Sequence, residues 1–292
     1  MKVEYKYDFI AKCYTARGKK MFSDLDKAQM EEKTRKLRAD ILIMLNEAGS
    51  GHSGGSLSAI DIIAVLFNNI MHHNPKDPKW EKRDRFILSK AHVCPALYVV
   101  LADCGYYDVK ELKTLRKYGS ILQGHPYMHK TPGVEISGGS LGQGLSIATG
   151  IAMASKLNKE SYRTYCMMGD GETQEGQIWE AAMSAGHYKL DNLCAILDYN
   201  HLQIDGRVED VMDIYPAKEK WLAFNWNVIE IDGHDMVEIV NGFKQAEEYK
   251  GKPTIIIASK GKGVSFMENN AAWHGTTPNK QQLEAALAEL RA

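Results

Sequence analysis

Asp170 sits between two glycines in GDGETQEG (residues 169 to 176), and Asn200 stands thirty residues later. Each lies just beyond a short apolar run, RTYCMM (163 to 168) and LCAILD (193 to 198). A carboxylate oxygen and an amide oxygen are hard donors, suited to Mg2+ or Ca2+ and poorly suited to zinc. Two protein oxygens do not complete an octahedron, and magnesium takes the remainder from water and ligand phosphates. Gly169 and Gly171 clear side chains where backbone must approach such a ligand. The helix start that follows favours an anion. The pattern therefore reads as a metal-bridged phosphate site. The competing reading is a tight turn capped by Asp170 with an unrelated loop asparagine; the position of Asn200 after the next strand favours the metal.

Four histidines, His52, His92, His125 and His274, fall in glycine-rich or polar loops. A lone histidine in such a loop is ordinarily a solvated surface residue. Four at one end of a sheet form a candidate site, because imidazole donates to phosphate or hydroxyl and exchanges protons near neutrality. His72, His73, His129, His187, His201 and His234 keep the ordinary solvated reading. Glu175 opens a helix, where the macrodipole alone favours an acid. Lys260 follows a strand end and is either an anion contact or a solvated lysine. GGSLGQGL (138 to 145) reads as a helix entrance; it does not fit G-x-G-x-x-G, and KGKGVS lacks the spacing of a Walker loop.

Positioning these groups requires elements that end together. Strand-like runs lie at 85 to 89, 163 to 168, 193 to 198, 227 to 232 and 254 to 259. Helical segments are expected at about 95 to 103, 108 to 117, 141 to 157, 175 to 188, 216 to 224 and 236 to 249. Strands alternating with helices predict an α/β fold: a doubly wound, mostly parallel sheet with helices on both faces. Ligands of such sheets sit outside the carboxyl ends of the strands, and neighbouring strands lie about 5 Å apart. Asp170 and Asn200 would then converge on one point. Upstream, Leu37, Ile41, Met44, Leu45 and Ala48 recur at helical spacing within 24 to 48, with Ser23 or Asp24 as cap and Gly49 beyond the end. SAIDIIAVLFNNIM (58 to 71) is apolar nearly all round and reads as a buried helix.

The 292 residues hold 44% hydrophobic and 25% charged side chains, a globular balance, with a formal net charge of −1 that excludes a general polyanion binder such as a nucleic-acid protein. No run of eighteen apolar residues stands out, so no membrane span is expected, and the N-terminus lacks a signal-peptide core. Cys13, Cys94, Cys104, Cys166 and Cys194 are odd in number without CxxC spacing, which reads as core thiols in a reducing cytoplasm. One domain, residues 27 to 292, preceded by an arm, residues 1 to 26, is the expected organisation.

GDG followed about thirty residues later by Asn resembles the thiamine diphosphate fingerprint. The resemblance extends through GHSGGSLS (51 to 58), DRFILSKAH (84 to 92), GHP (124 to 126), GGSLGQGL, GDGETQEG and KGKGVSFMENNAAWHG (260 to 275), in that order. Together they look like the N-terminal, diphosphate-binding half of transketolase, from about residue 27 to 276. The resemblance implies that Asp170, Asn200 and the Leu202 carbonyl hold a divalent ion against the diphosphate, with Gly169, Gly171, Glu172 and Lys260 nearby. It implies His52, His92 and His274 around the diphosphate and thiazolium, His125 on the sugar hydroxyls, and Gly139 and Leu141 against the aminopyrimidine region. Glu175 would link paired active sites at the subunit interface. Ala91 and Ser140 stand where many relatives carry glycine and proline.

The family's activating glutamate lies in a following pyrimidine-binding domain, and this chain ends at Ala292. The resemblance therefore implies one subunit of a split enzyme: a ketol transferase of the pentose phosphate type, completed by a second chain in an α2β2 heterotetramer. Other thiamine enzymes, such as a specialised sugar-phosphate transketolase, deoxyxylulose phosphate synthase or a 2-oxoacid dehydrogenase subunit, and a non-catalytic cofactor-binding module, are the alternatives.

Overall fold

In the computed structural model, which describes residues 23–259 and 261–291, the expected apolar runs pair side by side. In chain order the strands are β1 (Arg85–Leu88), β2 (Thr164–Gly169), β3 (Leu193–Tyr199), β4 (Leu202–Gln203), β5 (Gly206–Arg207), β6 (Asn227–Asp232) and β7 (Thr254–Ser259). Five of them form one sheet in the order β1-β2-β3-β7-β6, and every pairing in it is parallel. The short β4–β5 pair is an antiparallel hairpin directly after β3.

The α-helices are α1 (Asp24–Ala48), α2 (Ser53–Val65), α3 (Cys94–Asp103), α4 (Gln143–Leu157), α5 (Gly176–His187), α6 (Val208–Met212), α7 (Ala217–Ala223), α8 (Met236–Glu248) and α9 (Lys280–Arg291). Alternation along each strand divides the core into two layers. Tyr165, Met167, Cys194, Ile196 and Ile256 point into the layer built by α1, α2, α3 and α8. Cys166, Met168, Ala195, Leu197 and Ile257 point into the other, with residues of α4, α5 and α7. The doubly wound reading holds, and the sheet proves wholly parallel.

Helix α1 starts where a capping box forms: Asp26 N–H donates to Ser23 Oγ (3.2 Å) while Ser23 N–H donates to Asp26 Oδ2 (3.0 Å). It ends at Gly49, whose φ of 65° accepts the left-handed cap. The boundary expected after residue 26 thus falls inside the first turn of α1; residues 1–22, including Cys13, lie outside the described residues. The helix expected at 108 to 117 is instead a 3-10 turn, Val109–Thr114, because Arg116 turns to φ 62° and stops any continuation.

Ser53–Ile70 does reach the length and hydropathy of a membrane span, against the sequence expectation, yet 78% of it is buried. Its mass goes into the first core layer, with the last turn, Leu66–Ile70, opening into a π-helix. Cys94, Cys104, Cys166 and Cys194 are buried free thiols, as expected.

Candidate active site

Asp170 follows the last residue of β2 and Asn200 the last residue of β3. These strands are neighbours, with Gly169 opposite Asp198, and Asp170 N–H donates to the Asp198 carbonyl (3.2 Å). The two strand ends therefore meet. Asp170 is only 2% exposed; its Oδ1 accepts from Gly171 N–H (2.8 Å) and its Oδ2 from His201 N–H (2.6 Å). Asn200 Oδ1 accepts from Leu202 N–H (3.0 Å) as the chain turns into the hairpin. Burial pushes the Asp170 carboxyl up to about 6, against the pull of the Lys90 charge. Lys90 itself ion-pairs with Asp198 Oδ2 (2.7 Å). A buried carboxylate with free lone pairs, beside an amide oxygen, gains from a hard cation. The donor set fits the metal that the sequence suggested.

Three imidazoles gather nearby. His52 precedes α2, His92 lies in the 3-10 turn Ala91–Val93 ahead of α3, and His274 follows the 3-10 turn Ala271–Trp273. Their ring centroids are 5.0 Å (His52–His92), 5.2 Å (His92–His274) and 5.7 Å (His52–His274) apart. Burial, followed by the Lys90 charge, pushes His92 down to about 2 and His274 down to about 4. Both are neutral at pH 7. Burial, then the Arg116 charge, also lowers His52 and His125. His52 Nδ1 is buried with no hydrogen-bond partner. Such an orphan is the mark of a ligand-facing group.

One cavity of about 430 Å³ joins these groups at the carboxyl ends of the strands. Asp170, Asn200 and Leu202 line it, together with His52, His92, His125 and His274. Gly139, Leu141, Gly169, Gly171, Glu172 and Glu175 complete the wall among the expected residues. Lys260 lies outside the described residues.

Glu172 has a more particular place than the sequence suggested. It is 4% exposed, and its Oε1 accepts from Ser89 Oγ (2.5 Å) and Gly142 N–H (2.9 Å), while Oε2 accepts from Gly169 N–H (3.0 Å). One carboxylate thus ties the end of β1, the entrance of α4 and the end of β2. At that entrance Gly142 adopts φ 86°, and a Cβ there would lie 2.8 Å from Glu175 Cβ. Gly144 is equally constrained: a Cβ would lie 2.3 Å from Ser89 Oγ.

Sequence reasoning missed three buried charges. Lys90 and Asp198 form an ion pair that is 3% and 0% exposed, and Ser58 Oγ adds a bond to the same oxygen (2.6 Å). Lys262, 4% exposed, lines the cavity, and burial lowers its ammonium pKa. The signal for Asp198 was present: an acid inside a run otherwise buried on both faces needs a partner. Two histidines taken as solvated have partners inside the protein, although His234 stays partly exposed. His73 is buried between Tyr106 Oη (2.9 Å) and the Phe67 carbonyl (2.8 Å), and His234 reaches buried Asp61 (2.6 Å).

The arrangement matches a known family. The model of the family described as "Transketolase, thiamine diphosphate binding domain" covers residues 27–290. The chain belongs to the transketolase family. It is 44% identical over 263 residues to one of the subunits of the apulose-4-phosphate transketolase of Phocaeicola vulgatus, spanning 89% of this chain and 93% of that protein. It is 43% identical over 263 residues to the 6-deoxy-6-sulfo-D-fructose transketolase subunit SqwG of a Clostridium species, spanning 89% and 96%. The crystal structure of transketolase from Campylobacter jejuni superposes with a TM-score of 0.84 at 34% identity, over 90% of this chain and 43% of that one. The chain thus spans less than half of that transketolase but nearly all of the two relatives that are themselves subunits. The fold, the family and the cofactor-binding character of the domain all agree with the sequence reading.

Proposed function

We propose that this chain is the thiamine diphosphate-binding subunit of a two-subunit transketolase that moves a two-carbon ketol unit from a ketose to an aldose. One observation carries the reading: Asp170, Asn200 and the four imidazoles line a single cavity at the strand ends. The names of the two relatives matched over nearly their whole length, each called a subunit, support a partner chain. Those names, one with a phosphate and one with a sulfonate, also support a specialised ketose as donor rather than only a common pentose phosphate.

Asp170, Asn200 and the Leu202 carbonyl would hold Mg2+ or Ca2+ against the diphosphate. When bound, the cofactor supplies the electron sink for breaking and forming the carbon–carbon bond. The protein residues bind and orient. His92 and His274, neutral at pH 7, offer N–H donors to anion or hydroxyl without adding charge, and His52 brings its unpartnered Nδ1. His125 would meet sugar hydroxyls, Leu141 would lend apolar contact, and backbone at Gly139, Gly169 and Gly171 admits close approach. Glu172 holds the three loops in register. Glu175 is assigned to the interface between subunits, in an α2β2 assembly in the cytoplasm. The partner would supply the pyrimidine-binding domain and its acid.

The test combines the chain with its partner, thiamine diphosphate and Mg2+, and screens ketose donors with an aldose acceptor. Ketol transfer from at least one phosphorylated or sulfonated ketose is expected. A folded complex that transfers nothing from any ketose, or accepts only 2-oxoacids, refutes the proposal.

A further inference from the structure

Lys262 sits in a turn between β7 and α9 that is gripped from both sides. Its side chain is buried in the wall of the strand-end cavity, yet its ammonium forms no hydrogen bond or ion pair among the described residues. The stem lies against the first turn of α2: a Cβ at Gly54, itself in the cavity wall, would fall 2.8 Å from Lys262 Cε. Glu268 holds the backbone of this turn. Its Oε1 accepts from Lys262 N–H (2.7 Å) and from Gly263 N–H (2.6 Å), so two successive backbone donors form a nest around one carboxylate oxygen. The same carboxylate lies against Gly261, where a Cβ would collide with Oε2. Buried Val264 and Met267 anchor the 3-10 turn Ser265–Met267, which brings Glu268 back over the nest. On the other side Gly263 takes φ 70° and packs on Arg38: a Cβ there would fall 2.7 Å from Arg38 Nε. Arg38 is itself fixed by an ion pair with buried Asp61, whose Oδ2 also accepts from His234 Nδ1 (2.6 Å).

We infer that Glu268 is a positioning residue for Lys262: by filling the nest it keeps the ammonium turned into the cavity, where an anionic cofactor gains from it. The inference rests on the thiamine diphosphate reading and deepens it. A buried ammonium without a partner carries a desolvation cost, which an anion bound in the cavity offsets. Burial lowers the Lys262 pKa, and the Glu268 charge is the largest influence opposing that. Glu268 exerts it through the backbone nest, without an ion pair that would draw the ammonium away from the cavity. Without the carboxylate, two backbone N–H groups lose their acceptor and only Gly263 on Arg38 still holds the turn. The long lysine stem then regains freedom by swinging its charge toward water.

The test measures the Kd of thiamine diphosphate with Mg2+ by calorimetry on the assembled two-subunit protein. Wild type is compared with Glu268→Ala, Glu268→Gln, Lys262→Met and the double variant of Glu268→Ala with Lys262→Met. Losing a cation that meets the anion should weaken binding about tenfold or more in Lys262→Met. Glu268→Ala should weaken it about fivefold, and Glu268→Gln, whose amide oxygen still fits the nest, should recover most of that loss. In the Lys262→Met background the alanine change should add less than about twofold, because its effect runs through the ammonium. An unchanged Kd in Glu268→Ala overturns the inference, as does a glutamine variant no better than alanine. An equal loss in both backgrounds overturns it too, since Glu268 would then support the loop and nothing more. Should Glu268→Ala not assemble, Glu268→Asp, too short to reach both N–H groups, takes its place in the cycle with the same expectations. If the wild-type complex binds no thiamine diphosphate with Mg2+, the cofactor reading itself fails, and this inference with it.

Discussion

Glu172→Gln isolates the carboxylate that ties three loops around the cavity. Gln keeps the shape but has one acceptor oxygen and one NH2 group. Glu172 accepts two hydrogen bonds at Oε1 and one at Oε2, so the cheaper orientation puts the amide nitrogen against Gly169 N–H. Two acceptor bonds survive, weakened by loss of charge, and one buried backbone donor faces another donor. An unsatisfied buried donor costs about 1–3 kcal/mol, and charge-assisted bonds are worth roughly 1.5–3 kcal/mol. Replacing a buried charge with a neutral amide offsets part of this, since burial already raises the Glu172 pKa. A net loss of about 2 kcal/mol follows. Urea unfolding followed by fluorescence of the buried Trp221 and Trp226 measures it. Glu172→Ala, which strands all three donors, should lose more. Glu172→Gln within about 0.5 kcal/mol of wild type would refute the tie.

Asp170→Asn sets its amide nitrogen against one of two backbone donors and should cost the metal-free fold about 1–3 kcal/mol, and it should also abolish the further stabilisation given by Mg2+ with thiamine diphosphate. That stabilisation is about 2.7 kcal/mol at a hundredfold excess over Kd, read as a thermal shift; a surviving shift would place the metal elsewhere. Lys90→Met leaves Asp198 buried without its cation and should cost about 3–5 kcal/mol, most of it recovered in the double variant with Asp198→Asn. A loss below about 1 kcal/mol in the single variant would contradict the pair. The histidines set a pH dependence. Because the folded pKa values of His92 (about 2) and His274 (about 4) lie below the ordinary 6.5, the unfolded chain binds more protons between about pH 4 and 6.5. Their stabilising contribution is complete above pH 6.5 and is lost as pH falls toward 4. Asp170, raised to about 6, works the other way with one proton against two. Urea midpoints should therefore drop on acidification from pH 7 to 5, and His92→Asn should flatten the slope; a steeper slope in that variant would show the sign is wrong.

Much of this was legible in the residues. All five strands of the main sheet fall within about one residue of the expected runs: β1, β2, β3 and β7 because strands of a parallel sheet buried on both faces need near-continuous hydrophobic sequence, and the half-exposed edge strand β6 through the apolar residues of NVIEID. The expected 108 to 117 helix failed because the pattern carried no mark of the turn at Arg116, whose backbone is left-handed. The apolar Ser53–Ile70 segment shows the converse: composition alone fits a membrane span, and only packing against α1, α3 and α8 makes it a core helix.

The chain by itself settled which residue types stand just past each strand, and hence that acid, amide and imidazoles share one end of the sheet. Alternation and strand length are local properties, readable along one dimension. Which charges neutralise one another is not local: Lys90 meets Asp198 across 108 positions, Glu172 meets Ser89 across 83, and Arg116 reaches Ser50 across 66. Those meetings, the burial that discharges His92 and His274, and the one unpartnered nitrogen of His52 exist only after the layers close, because desolvation and Coulomb forces depend on distance in space.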